Sequence, residues 1–292
     1  VLESAASGTE FITTWQTDAT GTTTSGTNQV KLPLHSSGTY NFTVDWGDGT
    51  QDTITSYNQA EATHTYASAG TYDITIDGQC EGWGFTYSGE DNDKLVGIKQ
   101  WGDVKLHNNG GQFTSCTNIS SYTATDVLDV SNVTNMSGIF YNTNLSAGFD
   151  ASQWDTSNVI NMSSMFWQTT IPDGFDISGW NTSIVTNINN CFKESTIPVG
   201  FNISGWNTSS VINMTSTFES TTIPSGFDIS GWNTSSVESL SETFRSAIIP
   251  VGFNIPGWNT SSVTSMYAMF RDATLPSGFD ISGWNTLNVT NM

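Results

Sequence analysis

Apolar and polar positions follow two different rhythms along the chain. In the first, every second residue is apolar, as in a strand buried on one face. Phe11-Ile12-Thr13-Thr14-Trp15, Val30-Lys31-Leu32-Pro33-Leu34 and Tyr40-Asn41-Phe42-Thr43-Val44-Asp45-Trp46 carry this strand-like pattern. Gly47-Asp48-Gly49-Thr50 then reads as a tight turn, with glycine where positive φ is needed. Gln51 to Thr55 runs back, and Ala62-Thr63-His64-Thr65-Tyr66 and Gly70-Thr71-Tyr72-Asp73-Ile74-Thr75-Ile76 add two more strands. Short strands between turn signals predict an antiparallel β-sandwich over residues 10–88. The small, polar residues 1–9 read as a linker or leader remnant.

The second rhythm is a repeat. Trp154, Trp180, Trp206, Trp232, Trp258 and Trp284 stand 26 residues apart, and Gly174-Phe175-Asp176-Ile177-Ser178-Gly179-Trp180-Asn181-Thr182-Ser183 returns around each of the later ones. A period of this length signals a stacked array. Val159, Met162 and Phe166, with their equivalents, are spaced by three and four residues, which predicts a short helix. Asn/Asp-Thr-Ser ahead of them offers N-caps, and Ser235-Ser236-Val237-Glu238 reads as a capping box. Phe175 and Ile177 alternate with Asp176 and Ser178, which predicts a strand. Ile171-Pro172 stops the preceding loop, and Gly174 takes a conformation that excludes Cβ. The expected fold of residues 89–292 is therefore an α/β solenoid of about seven turns, one strand and one helix per turn, with a parallel sheet at about 4.8 Å spacing. Its first turn, near residues 95–118, is degenerate, and Leu128 replaces the Trp of the second. The sequence stops at Asn291-Met292 inside a repeat, which reads as a truncation.

Composition narrows the function. Only 12% of residues are charged, yet acidic groups outnumber basic ones 27 to 7, for a formal net charge of −20. That balance excludes a phosphate-backbone partner, so no nucleic acid is expected. No apolar run reaches about 18 residues, so no membrane insertion is expected of this segment. A mixture rich in Asn, Ser, Thr and Gly suits a secreted, turn-rich protein. Cys191 falls in a column otherwise holding Met165, Thr217, Thr243 and Met269, and reads as a buried free thiol. Cys80 and Cys116 are read as unpaired, with a disulfide as the alternative. No cysteine or histidine spacing fits zinc.

Two resemblances rest on these residues. Val44-Asp45-Trp46-Gly47-Asp48-Gly49-Thr50, His64-Thr65-Tyr66 and the strand after Gly70 resemble a PKD-type immunoglobulin-like domain. Such modules are spacers or adhesion units, and the resemblance gives His64 a structural role. The motif Trp-Asn/Asp-Thr-Ser-x-Val-x-x-Met-x-x-x-Phe, with the lead-in Lys94-Leu95-Val96-Gly97-Ile98-Lys99-Gln100-Trp101, resembles the BspA-type leucine-rich-repeat surface proteins, in their mycoplasmal-lipoprotein branch. This second resemblance implies a bacterial-type surface protein that binds host or matrix partners. Regular Ile-Pro-x-Gly-Phe segments depart from the family's looser loops and leave the ligand open.

Candidate sites follow from the columns. Asp150, Asp176, Asn202, Asp228, Asn254 and Asp280 form one outward column, and Ser152, Ser178, Ser204, Ser230, Pro256 and Ser282 run beside it. These two polar ladders either contact a partner or form a solvated face in which Asn dilutes the Asp charge. Tyr141, Trp167, Lys193, Glu219, Arg245 and Arg271 form a second, variable column that reads as solvent-facing. The Trp column reads as core, with an aromatic stripe for sugars as the alternative. The Asp or Asn after each Trp reads as a hydrogen-bonding group for the turn backbone. Asp45, Asp48 and Asp52 either bind calcium or accept from turn amides; the lack of an EF-hand pattern favours the second. No other cofactor is expected. The histidines, His35, His64 and His107, lie outside the repeat register, and no nucleophile, P-loop or metal motif appears, so no enzyme is expected. The leading expectation is an extracellular adhesion or recognition module, secreted or on the cell surface, that binds a protein or glycan. A structural layer or filament built by self-association is the alternative, and a glycan-acting enzyme a minor one.

Overall fold

The structure is a computed structural model that describes residues 8–21, 24–86, 90–145 and 148–292. Residues 1–7 of the expected linker lie outside the described residues.

The alternating segments do form strands: β1 (Phe11–Gln16), β2 (Gln29–Lys31), β3 (Leu34–Asp45), β4 (Gln51–Ile54), β5 (Thr63–Thr65) and β6 (Thr71–Trp83). Phe11, Thr13 and Trp15 point inward from β1, and Tyr40, Phe42 and Val44 from β3. The β3–β4 turn needs glycine. Gly47 has φ +78°, and a Cβ there would lie 2.4 Å from the Asp73 carbonyl oxygen.

The strands do not close into an antiparallel sandwich of PKD or immunoglobulin type. β1 pairs on one side with β6 and on the other with β7 (Leu95–Gln100), so the lead-in segment is consumed as sheet. β8 (Lys105–Leu106) adds to β6 and β9 (Ser121–Tyr122) to β7, both in parallel. The result is one mixed seven-stranded sheet, with main order β4-β3-β6-β1-β7-β9, and a separate two-stranded ribbon, β2-β5.

The expected leucine-rich-repeat α/β solenoid is also overturned. No α-helix forms among the described residues; two 3-10 turns, Ala60–Ala62 and Asn92–Lys94, are the helical content. The cause lies in the backbone. Ser164 and Gln168 have φ of 54° and 56°, and Ser216, Ser220, Glu242 and Ser246 repeat the pattern, so no continuous helix can run through these positions. Their amides leave the unit instead. Met162, Ser164, Phe166 and Gln168 donate to the carbonyls of Asn187, Asn189, Cys191 and Lys193 at 2.8–2.9 Å. Glu238 of the expected capping box likewise donates its amide to Ile212 in the preceding unit. Segments rich in Ser, Thr, Asn and β-branched residues have little helical propensity to oppose this.

The expected strand at Phe175-Asp176-Ile177-Ser178 is a turn as well. Pairing is confined to isolated parallel bridges in two other columns, Asn135 to Asn161 to Asn187 and Asn144 to Thr170 to Thr196, continuing to Asn291 and Thr274. The fold is thus mostly β and almost without helix. Its 26-residue units lie in register, and their apolar residues share one core with the sheet.

Phe113, Phe140, Phe166, Phe192, Phe218, Phe244 and Phe270 stack along that core with centroids 5.4–6.1 Å apart. Trp180, Trp206, Trp232 and Trp258 are buried, and each indole N–H donates to a carbonyl 29 residues earlier, as Trp180 does to Ala151 at 2.8 Å. Trp154 has no such partner among the described residues. All three cysteines are free and buried.

Two consequences can be measured. Phe218→Ala should cost about 3–5 kcal/mol in chemical denaturation, and Phe270→Ala, at a partly buried position, clearly less; equal costs would contradict the shared-core account. His107 is buried, its Nε2–H donates to the carbonyls of Gly84 (3.1 Å) and Phe85 (3.0 Å), and its Nδ1 accepts from the Asn109 amide (3.2 Å). Burial lowers its pKa, opposed by the Phe85 and Gly84 carbonyls and aided by His35. A histidine whose folded pKa lies below its unfolded value contributes stability that is full above about pH 6.5 and is lost as pH falls through the folded value. The unfolding midpoint should therefore drop between pH 7 and pH 5, and His107→Gln should flatten that part of the profile.

Candidate functional site

The outward Asp/Asn column is built by a pair of successive turns. In the first, Gly174 has φ +78° and the Phe175 amide closes back on the Pro172 carbonyl at 3.2 Å. In the second, Asp176 Oδ1 accepts from the Ser178 amide at 2.8 Å, while the Trp180 amide closes on Ile177 at 3.2 Å. This side-chain turn sets Asp176 outward and buries Ile177. Asp150, Asn202, Asp228 and Asp280 make the same contact with Ser152, Ser204, Ser230 and Ser282, at 2.8–3.0 Å. Asn254 is the exception. Pro256 has no N–H to offer, and Asn254 Oδ1 takes the Ile255 amide instead.

The structure therefore brings the Asp/Asn and Ser candidates together along one edge of the stacked units, on turns rather than on the expected strands. The Ser178 amide, then the Ser178 hydroxyl, holds the Asp176 carboxyl below the usual carboxylate range, and Ser230 and Ser282 do the same for Asp228 and Asp280. These edge groups keep their charge into mild acid. Between neighbouring units lies a groove of about 550 Å³, lined by Phe227, Asp228 and Ser230 on one side and Pro250, Phe253 and Asn254 on the other.

The second column is not a free solvent-facing strip. Tyr141 and Trp167 lie ring to ring at 5.0 Å, and Lys193 Nζ sits 5.1 Å from the Trp167 ring centre. Lys193 pairs with Glu219 at 2.9 Å, and Arg245 pairs with Glu219 at 3.4 Å and Glu242 at 2.9 Å. Side chains that vary along the sequence are thus matched to their neighbours one unit away. The Trp column is inside, which removes the sugar-stacking alternative. Asp155, Asn181, Asn207, Asn233, Asn259 and Asn285 each accept from the amide two residues on, as expected.

The three N-terminal aspartates are engaged by the protein. Asp45 accepts from the Gly47 amide and Gln51 Nε2, Asp48 from the Thr50 amide and hydroxyl, and Asp52 from the Trp46 indole at 2.9 Å. His64 stacks on Trp46 and meets Asp48 at 2.9 Å. Among the described residues no group of three or more His, Cys, Asp or Glu is arranged to hold a metal ion. His35 and His107 lie side by side, with ring centroids 4.8 Å apart.

One constellation gave no sequence signal. Lys94 and Asp91 are buried 3.9 Å apart. Lys94 Nζ donates to Ser25 Oγ and the carbonyls of Gly26 and Gln29, and Asp91 accepts from the amides of Thr24, Ser25 and Lys31. The pair fixes the loop before β2 to the start of β7.

A family model described as "Mycoplasma protein of unknown function, DUF285" matches residues 107–224, 173–254 and 225–292. No curated protein and no solved structure matches the chain. The resemblance to BspA-type leucine-rich-repeat proteins with a PKD-like N-terminal domain is corrected by this match and by the nearly helix-free fold.

The side-chain turns make a local prediction. Asp228→Asn should leave thermal stability nearly unchanged, because Asn202 makes the same turn. Asp228→Ala strands the Ser230 amide and should cost about 0.5–1.5 kcal/mol.

Proposed function

The chain belongs to the DUF285 family, and we propose that it is an extracellular recognition module, secreted or held at the cell surface, that binds an extended protein or glycan along the Asp/Asn–Ser edge. One observation carries this reading. Every unit of the edge except that of Asn254 and Pro256 presents the same outward carboxylate or amide beside a hydroxyl, fixed by its own turn, and a groove opens between the Asp228 and Asn254 units. A row of equivalent groups suits a linear partner that repeats its own contacts, whereas catalysis calls for one distinct set of groups. A net charge of −20 directs the choice toward neutral or basic partners and against nucleic acid. No helix among the described residues is long and apolar enough to cross a membrane.

The test is an array of glycans and matrix proteins probed with the chain and with the triple variant Asp176→Asn, Asp228→Asn, Asp280→Asn. Asparagine keeps every turn and removes three edge charges. At least a tenfold loss of signal on the recognised ligand is expected, with unchanged thermal stability. Undiminished binding would place recognition elsewhere.

A further inference from the structure

The Asp/Asn–Ser edge alternates from unit to unit in a second property. The turn ahead of each outward residue has its tip at Asp173, Val199, Ser225, Val251 and Ser277, and the outward residues that follow are Asp176, Asn202, Asp228, Asn254 and Asp280. Valine at the tip goes with asparagine, and a polar tip goes with aspartate. Units thus come in two kinds, one acidic and polar, the other neutral and apolar, and they take turns along the edge. Val199 and Val251 are 79% and 84% exposed. Their turns close as that of Ser225 does: Phe201 donates to Pro198, Phe227 to Pro224 and Phe253 to Pro250, each at 3.3 Å. Serine holds the same turn, so the fold itself does not require valine there. The groove joins the two kinds of unit. Asp228 and Ser230 stand on one wall, and Pro250, Val251 and Pro256 make the other apolar. Trp206 and Trp232, four residues after Asn202 and Asp228, stack at 6.3 Å with planes 1° apart, so neighbouring units are offset by that distance beside the edge. Two residues of extended chain span about 6.4–6.8 Å, and every second side chain points to the same face.

We infer, on the reading of this edge as the recognition surface, that its partner is an extended polypeptide lying along the stack, whose edge-facing side chains alternate between basic and apolar. The match of spacings sets one facing side chain against each unit. A lysine or arginine meets the carboxylate of Asp176 or Asp228. The next facing side chain, apolar, covers Val199 or Val251 and, at the groove, Pro250 and Pro256. Charge complementarity selects the cation, and the exposed valines select what stands between two cations. A neutral glycan supplies neither group. A polypeptide with a basic residue at every facing position sets charge against Val199 and Val251, and is disfavoured for that reason.

Three labelled synthetic peptides test this by fluorescence anisotropy with the full chain. The first repeats lysine-serine-valine-serine. The second has the same residues with all lysines before all valines, and the third is the first with glutamate for lysine. The first should bind saturably, at least tenfold tighter than the other two, and should weaken as salt is raised. The double variant Val199→Ser, Val251→Ser puts at both tips the residue found at position 225. It should keep the unfolding midpoint and bind the first peptide at least fivefold more weakly, as should the triple Asp→Asn variant described above. Equal affinity for the first and second peptides, or no saturable binding of the first, overturns the alternating polypeptide and leaves the edge to be judged on the array. A glycan from the array whose binding falls in the Asp→Asn variant but not in the valine variant also overturns it, and upholds the edge. Binding of the first peptide that neither variant weakens places the contact elsewhere and counts against both.

Discussion

The hydrogen bond that leaves one unit for the next is the constraint on which the rest of the structure depends. A unit of 26 residues is too short to satisfy its own amides around a buried Val, Met, Phe, Ile and Trp. Alternate amides therefore point along the stack, and φ turns positive at residues such as Ser164 and Gln168 to aim them there. Each such residue costs on the order of 1–2 kcal/mol locally. The cost is offset because the same geometry sets like columns one above another. Phenylalanine then lies on phenylalanine, and the Thr156, Thr182 and Thr208 hydroxyls each reach a carbonyl of the following unit at 3.0–3.1 Å.

That alignment also makes the Asp/Asn–Ser edge. Nothing in one turn distinguishes Asp176 from an ordinary surface aspartate. What sets it apart is repetition, since Asp150, Asn202 and Asp228 are held in the same orientation by the same contact. A partner that reads such an edge reads spacing as much as chemistry. The sheet at the other end contributes differently. Through the Asp91–Lys94 pair and the His107 contacts it fixes the first unit, on which the others are laid.

The period and the buried columns were legible in the sequence because burial alone decides them. The backbone path was not. Offsets of three and four residues between Val159, Met162 and Phe166 satisfy a helix, but they equally satisfy a chain of turns whose amides go elsewhere. Glycine would have announced the positive φ; Ser164, Gln168, Glu194 and Glu242 conceal it. Alternation at Phe175-Asp176-Ile177-Ser178 had the same ambiguity, because a side-chain turn also sends neighbouring residues to opposite sides. The aspartates were correctly picked as outward groups, yet they sit on turns and spend one oxygen on the backbone. Further upstream, the β-strands of residues 11–83 were readable from alternation, whereas the pairing of β1 with β7 depends on sequence-distant contacts that no local pattern encodes.

The column Trp167, Lys193, Glu219, Arg245 has a consequence for inheritance. Near-identical repeats invite unequal exchange, in which one unit is lost or gained without disturbing the register. Loss of residues 194–219 would preserve every Phe, Trp and Asp column, yet it would bring Lys193 against Arg245 and remove the Glu219 that now lies between them. The order of charges along this column makes each unit recognisable to its neighbours, so a change in the number or order of units would disturb the column even where the core would tolerate it.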